Sequence, residues 1–184
     1  MQCSFSVREL SPTEWAVLGL LSQQSRHGFA LAKSLSTDGD FGHIWTVPRP
    51  LVYRALDTLC ADGLVGFHDA EPGAGGPPRR VTVITAKGKK ALGEWLREPI
   101  RHIRDARSLL LLKMAIINEL GLDRSPLVDA QLDTVDAIER GLEVKLAAAC
   151  LESDRLVLSY RLEMARALRR FLARQAIAPS PQGS

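Results

Sequence analysis

The chain has 184 residues, of which 46% are hydrophobic, so it is long enough for one or two small domains with a buried core. Its formal net charge of +3 is too small to indicate nucleic-acid binding unless the cations are concentrated locally. Three widely spaced cysteines, no apolar run near the roughly 18 residues of a membrane span and no signal-peptide pattern at the N-terminus predict a cytoplasmic protein.

The first part of the chain predicts two helices separated by a turn. Ser11-Pro12-Thr13-Glu14 matches a capping box with proline at the first helical position, so a helix with a strongly apolar face should follow. Residues 25–28 indicate a turn. A short second helix should then cover about residues 29–35, with Phe29 facing inward.

Prolines at positions 48 and 50 limit where the third helix can begin. Proline is tolerated in the first helical turn and disruptive further in, so this helix should begin between residues 48 and 50. Gly63 is a natural C-terminal stop. The following apolar residues recur at helical spacing and predict one buried stripe: Leu51, Val52, Ala55, Leu56, Leu59 and Cys60. The opposite face presents Arg49, Tyr53 and Arg54.

A change of period after Gly63 predicts a β-hairpin. A short strand begins at residues 64–67, a flexible Gly/Pro-rich tip covers residues 72–78, and β-branched residues dominate the return strand at residues 80–84. Thr85 can cap a helix that runs over about residues 86–97.

The second half is leucine-rich and predicts three helices: about residues 106–120, a long helix from Ser125 onward, and about residues 154–176. Their apolar stripes are wide for a group of three helices, which favours burial against a second copy of the chain. The alternative is that these helices close on one another and on the first half. The predicted dimer-interface residues are Leu109, Leu112, Leu132, Val135, Leu142, Leu146, Met164, Leu168 and Phe171.

Three helices followed by a two-stranded hairpin are the order of a winged helix-turn-helix. The predicted fold is mainly α with a small β-hairpin: a winged helix-turn-helix DNA-binding domain over residues 1–97, a helical dimerisation domain over residues 98–178 and a disordered tail over residues 179–184. The third helix is placed to enter a DNA major groove, and the hairpin is the wing. The predicted DNA-binding residues are Thr46, Arg49, Pro50, Tyr53, Arg54, Arg79, Arg80 and Lys87. The alternative is that these cations only solubilise exposed faces.

Five segments together resemble the PadR family of bacterial transcriptional regulators: SPTEWAVLGLLS, HGFALAKSL, PLVYRALDTLCADGLV, GGPPRRVTVITAKGKKALGEWL and DARSLLLLKMAIINELG. The likeness is close over about residues 10–121 and extends beyond them in pattern only. The long C-terminal half is similar to that of the larger subfamily, where it forms a helical dimerisation domain. The resemblance implies a homodimeric repressor that binds an inverted-repeat operator and releases it when a small-molecule effector binds.

The sequence departs from the family pattern near the third helix. Phe29 stands where family members usually have tyrosine, and Pro48 and Pro50 replace small or polar residues. Each proline removes a backbone N–H that could hold a phosphate, so Arg49 and Tyr53 should contribute more of the DNA contact than usual. In smaller relatives a tryptophan in the helix that corresponds to residues 86–97 lines a drug-binding pore, which makes Trp95 a candidate for contact with an aromatic or hydrophobic effector.

No residue pattern predicts a cofactor, a metal site or an enzyme. The four histidines, His27, His43, His68 and His102, have no partner at metal-ligand spacing, and residues 73–76 lack the G-K-[ST] of a phosphate loop. A winged-helix protein that binds a ligand or another protein without binding DNA is the alternative function, because this fold also serves as an interaction module.

Overall fold

A computed structural model describes residues 8–68 and 80–177. The predicted wing tip, Arg79 and the predicted tail lie outside the described residues. The described chain is mainly helical with one small antiparallel sheet, as predicted. Its elements in chain order are α1 (Pro12–Gln23), β1 (Arg26–His27), α2 (Gly28–Ser34), α3 (Arg49–Ala61), β2 (Val65–His68), β3 (Val81–Ile84), α4 (Ala86–Arg97), a 3-10 turn (Ile103–Asp105), a π-helical segment (Ala106–Leu110), α5 (Leu111–Glu119), α6 (Ser125–Ala147) and α7 (Glu152–Ile177).

The capping box predicted before α1 is confirmed. The Ser11 hydroxyl accepts a hydrogen bond from the Glu14 N–H (3.3 Å), and the Glu14 carboxylate accepts one from the Ser11 N–H (2.6 Å). Arg8 donates to the same carboxylate (2.5 Å) and to Asp62 (3.0 Å), just after α3. Burial raises the pKa of Glu14, but the hydrogen bonds from Arg8 and Ser11 outweigh burial and leave that pKa lowered. This buried carboxylate therefore fixes the start of α1 in its charged form.

Helix α3 begins where the two prolines allow it to begin. Its first residue is Arg49, with Pro48 as the N-cap. At its other end Gly63 adopts φ 69°, and the N–H groups of Gly63 and Leu64 donate to the carbonyls of Cys60 (3.0 Å) and Leu59 (2.9 Å). This is a Schellman motif, in which glycine accepts the left-handed conformation at little cost.

The sheet has three strands in the order β1-β3-β2, one more than the sequence predicted. Strand β1 lies in the segment predicted as a turn and pairs with β3 through Arg26–Thr82 and His27–Val81. It has two residues and no β-branched side chain, so its conformation depends on the distant strand that pairs with it. The hairpin of β2 and β3 is confirmed, with Phe67 opposite Thr82.

The chain divides into two compact units, Met1–Leu92 and Gly93–Ser184, and the division falls within α4, upstream of the predicted boundary. The core of the first unit is formed by α1, α2, α3 and the sheet. Its fully buried side chains include Val17, Leu18, Leu31, Val52 and Leu59. These residues hold the exposed face of α3 in place.

In the second unit α6 packs along α7, and ion pairs join the two helices. The Arg166 guanidinium contacts the carboxylates of Glu139 (3.2 Å) and Glu143 (3.0 Å), and Arg169 contacts Glu139 (2.9 Å). The half-buried Glu139 carboxylate therefore bridges two arginines of α7. Charges joined in a network of this kind contribute more to stability than isolated surface ion pairs do.

Two buried polar side chains join the end of α4 to the helices of the second unit. Gln131 accepts a hydrogen bond from the Ile100 N–H (2.8 Å) and donates to the Ile100 carbonyl (3.1 Å). Lys113 donates from its ammonium group to the carbonyls of Trp95 and Glu98 (2.6 Å for Glu98). Gln131 thus satisfies both backbone groups of buried Ile100, and Lys113 contacts carbonyls at the C-terminal end of α4, where backbone acceptors have no intrahelical partner further along.

Candidate nucleic-acid interface

The front of α3 is exposed, as the sequence predicted. Arg49, Pro50, Tyr53 and Arg54 are exposed, whereas Val52, Ala55, Leu56 and Leu59 on the opposite side are buried. Leu51 was predicted to be in the buried stripe, and this is wrong: it is 42% exposed. Leu51 is the third residue of α3 and follows the exposed residues Arg49 and Pro50. The same stripe also leaves Cys60 half-buried rather than buried.

Three side chains meet at the N-terminus of α3. The Arg49 guanidinium lies 5.3 Å from the ring centroid of Phe29 and 5.6 Å from that of Tyr53, which is within cation–π distance of both rings. Phe29 was predicted to face inward, and this is wrong: it is 61% exposed. Phe29 is the second residue of α2, and the apolar residues that α2 buries in the domain core are Leu31 and Ala32. We call Phe29, Arg49 and Tyr53 the arginine–aromatic cluster.

The arginine–aromatic cluster depends on a glycine. A Cβ atom at Gly28 would lie 2.9 Å from Cε1 of Tyr53, closer than real Cβ contacts allow. The Tyr53 ring therefore packs directly on the backbone at the start of α2, and the absence of a side chain there gives the ring its position.

The N-terminus of α3 offers few backbone donors. Pro48 and Pro50 have no N–H, and the N–H of Leu51 donates to the Pro48 carbonyl (2.9 Å). Among the described residues, the N–H of Arg49 is the one backbone donor of this turn without a partner. This helix end therefore has few backbone N–H groups to offer an anion, and a larger role for side chains stays a prediction.

The base of the wing lies beside the arginine–aromatic cluster because of β1. Arg80, just before β3, is exposed, and its guanidinium lies 5.5 Å from the ring centroid of Phe67 on β2. The Arg80 carbonyl is 3.2 Å from Nδ1 of His27, which precedes α2. His27 thus contacts the wing base through Arg80, and Phe29, two residues further along, contacts Arg49 at the N-terminus of α3. Sequence reasoning missed Phe29 and Phe67 as members of this surface, because exposed aromatic residues resemble core residues in a sequence pattern.

The other predicted DNA-binding residues are more widely spread. Thr46 is exposed before α3, and its hydroxyl donates to the Gly42 carbonyl (2.6 Å), so it keeps its acceptor lone pairs. Lys87 donates to the Asp62 carbonyl (2.7 Å), at the C-terminal end of α3. With 13 residues in α3, that end lies about 18–20 Å from Arg49 along the helix. Lys87 therefore caps the helix and is separate from the arginine–aromatic cluster.

The cations at the front of α3 are available for a ligand. Within residues 8–68 and 80–177, neither Arg49 nor Arg54 forms an ion pair. The same range contains no group of three or more His, Cys, Asp or Glu side chains arranged to hold a metal. No helix within it combines the length and the apolar composition needed to cross a bilayer.

Trp95, the candidate effector residue, is half-buried in α4. The Lys113 ammonium lies 4.3 Å from its ring centroid. Burial lowers the pKa of Lys113 to about 8, with the negative charge of Glu98 opposing that effect. The face of the Trp95 ring and the buried ammonium group of Lys113 are therefore in direct contact.

The predicted dimer-interface residues differ in exposure. Leu112 and Val135 are fully buried by their own chain. They belong to its core, which corrects their assignment to an interface. Met164 is 44% exposed. The remaining six are half-buried: Leu109, Leu132, Leu142, Leu146, Leu168 and Phe171.

Comparisons with known proteins find a protein family and a curated protein that are similar to part of this chain. Residues 17–94 match the family model described as "Transcriptional regulator PadR-like family". A curated Mycobacterium tuberculosis protein named "Probable transcriptional regulator Rv1176c" is 28% identical over 96 residues, which are 52% of this chain and 49% of that protein. The match thus spans about half the length of this relative.

Solved structures of similar proteins have low identity to this chain. The Bacillus subtilis PadR structure in complex with operator DNA has a TM-score of 0.45 and 22% identity, covering 89% of this chain and 96% of that one. The structure of the same protein with p-coumaric acid has a TM-score of 0.44 and 22% identity over 90% and 97%. The Vibrio cholerae virulence activator AphA has a TM-score of 0.40 and 21% identity over 89% and 95%.

Proposed function

We propose that the protein regulates transcription by binding double-stranded DNA, as its match to the PadR-like family of transcriptional regulators over residues 17–94 supports. The observation that carries the proposal is the exposed arginine–aromatic cluster at the N-terminus of α3. In helix-turn-helix proteins the N-terminal residues of this helix contact base edges in the major groove. The unpaired guanidinium of Arg49 and the polar Tyr53 are suited to that position.

The wing supports the same surface. Arg80 extends the cationic surface from α3 to the hairpin, where it can contact the phosphates beside the major groove. We propose that Thr46, Pro50 and Arg54 flank the contact and that Arg79, outside the described residues, adds a second wing cation. Lys87 acts mainly by capping α3.

The protein is proposed to act as a homodimer through the second unit. On α7, Leu156, Tyr160 and Met164 recur every fourth residue and are 71%, 66% and 44% exposed. We call these three residues the α7 apolar stripe. Half-buried Leu168 and Phe171 continue it along the helix. A second copy of the chain is the partner that buries such a stripe by symmetry. A twofold dimer would read an inverted repeat with half-sites one helical turn apart, about 34–36 Å.

The proposal extends to repression of transcription and to its release by a small molecule. A dimer bound to a promoter blocks transcription, and an aromatic or hydrophobic effector would release it. The half-buried Trp95 ring beside Lys113 is the proposed contact. This contact is tested by adding candidate phenolics and hydrophobic drugs and measuring the tryptophan fluorescence of the protein. The effector should quench the fluorescence of the wild type, and this quenching should be lost in Trp95→Phe. Quenching that persists in the variant contradicts it.

The DNA proposal is tested by fluorescence anisotropy on a duplex from the region upstream of the protein's own gene. Arg49→Ala should weaken binding by about tenfold or more, as for loss of a base-contacting arginine. Tyr53→Phe should weaken it by a smaller factor. Lys145→Ala, which removes an exposed cation of α6, is the matched control and should bind as the wild type does. Wild-type protein with no salt-dependent DNA binding would instead indicate a winged-helix adaptor.

The dimer is tested by sedimentation of Tyr160→Glu. A charge in the α7 apolar stripe should produce monomers, because an unpaired buried carboxylate is costly. Ser159→Glu introduces the same charge on exposed α7 surface about 100° around the helix and should stay dimeric. Equal sedimentation of both variants contradicts this interface.

A further inference from the structure

The arginine–aromatic cluster holds Arg49 more firmly than an exposed arginine is usually held. Its guanidinium lies within cation–π distance of the rings of Phe29 (5.3 Å) and Tyr53 (5.6 Å), and within the described residues it forms no ion pair. Attraction to two rings restricts the position of this side chain, and no ion pair uses its N–H donors. Arg49 is also the first residue of α3. The side chain is therefore oriented before any ligand binds.

Phe29 adds an apolar surface directly beside these donors. Its ring is 61% exposed, although the same ring packs against a cation on one side. Arg49 and Phe29 together offer paired N–H donors and an apolar ring within one short distance. In the major groove guanine presents two acceptors, O6 and N7, and thymine presents a C5-methyl group.

We propose that Arg49 and Phe29 read a two-base element, in which Arg49 donates to guanine O6 and N7 and Phe29 contacts the methyl group of the adjacent thymine. Stacked bases are about 3.4 Å apart along a strand, so a ring centroid 5.3 Å from the guanidinium reaches the neighbouring base pair. Tyr53 supports Arg49 from the helix side. The assignment rests on the proposed function, because it names what the DNA-binding face selects.

A phosphate contact by Arg49 is the competing assignment. The two differ in effect: loss of a phosphate contact weakens all sequences by the same factor and lowers the salt dependence, whereas loss of a base contact removes the preference at one position. The exposed Phe29 ring beside Arg49 favours the base contact, since the thymine methyl group is an apolar partner for that ring and a phosphate is not.

The test begins with selection from a random duplex library by the wild-type protein. The selected sequences should contain a guanine next to a thymine in each half-site. Arg49→Ala should lose the guanine preference. Phe29→Ala should lose the thymine preference, whereas guanine should remain the selected base with a weaker preference, because Tyr53 still contacts Arg49. Leu151→Ala, which removes an apolar side chain of similar exposure (63%) between α6 and α7, is the matched control and should keep both preferences.

A chemical substitution in the DNA isolates the methyl group. Replacing the selected thymine by uracil removes only that methyl and should weaken wild-type binding about fourfold, the value for burying one such group. The same replacement should leave Phe29→Ala unchanged, and 5-methylcytosine at that position should preserve the methyl contact with the wild type. Circular dichroism should show the variant folded, because it loses a mostly exposed ring.

Three outcomes overturn the inference. If uracil weakens the wild type and Phe29→Ala equally, Phe29 does not read the methyl group. If Arg49→Ala still selects guanine, Arg49 does not read the base. If the wild type binds no duplex in a salt-dependent way, the proposed function fails and the inference fails with it, which distinguishes that case from the first two.

Discussion

Lys113 should make the free energy of unfolding of the second unit increase as the pH rises above about 8. The pKa of Lys113 is lowered from 10.5 to about 8 by burial, whereas in the unfolded chain it returns to its ordinary value. Between these two pKa values the unfolded state carries a proton at this site and the folded state does not. The free energy of unfolding therefore rises with pH across this interval.

The size of this rise follows from the pKa difference. The interval from about 8 to 10.5 corresponds to about 3 kcal/mol when fully traversed. Below pH 8 both states are protonated and the contribution of this site is constant, so the rise should begin near pH 8 and end near pH 10.5.

The comparison that isolates this rise is wild type against Lys113→Met. Urea unfolding followed by far-ultraviolet circular dichroism, at pH values across and below the interval, gives the free energy of unfolding of each protein. Other titrating groups affect both proteins alike, so the wild type should gain about 3 kcal/mol relative to the variant across the interval. Lys145→Met, the same change at an exposed lysine of α6, should run parallel to the wild type. Parallel curves for Lys113→Met and wild type would refute the assignment of a low pKa to Lys113.

Three further changes test separate features of the first unit. Gly28→Ala places a Cβ atom 2.9 Å from Cε1 of Tyr53, so it should displace the ring and weaken DNA binding severalfold in anisotropy assays; unchanged affinity would mean that the ring position is unimportant. Ser11→Ala removes the α1 cap and should lower the free energy of unfolding by about 1 kcal/mol, which thermal unfolding measures; an unchanged melting temperature would show that the cap contributes nothing. Arg80→Ala should lower the slope of log affinity against log salt by about 1, and an equal slope in the variant would exclude a phosphate contact at this position.

The prolines at the start of α3 leave contact with an anion mainly to side chains. The prolines remove backbone donors that would hold a phosphate, and Leu51 uses its own N–H on the Pro48 carbonyl (2.9 Å). Arg49 lies within cation–π distance of two rings at this donor-poor helix end. Under the proposed function we therefore expect Arg49 to contribute more to DNA binding than its neighbours, which makes it the most informative position to change.

The local sequence determined most of the helix boundaries. The α1 capping box, the start of α3 at the prolines and the glycine stop at Gly63 were all predictable, because each depends on backbone groups within a few residues. Helix α4 also has the predicted bounds of Ala86–Arg97. The alternation of helices and a hairpin was sufficient to predict a winged helix.

Only the tertiary structure decided which apolar residues are buried and which strands pair. Phe29 and Leu51 are exposed and Leu112 is core, because burial depends on what packs against a residue from far along the chain. Strand β1 forms because β3 lies beside it, not because of its own two residues. The same long-range pairing brings His27, Phe29 and Arg80 to one side of α3. Periodicity identifies the face of a helix, whereas the neighbours that cover that face are set by the fold as a whole.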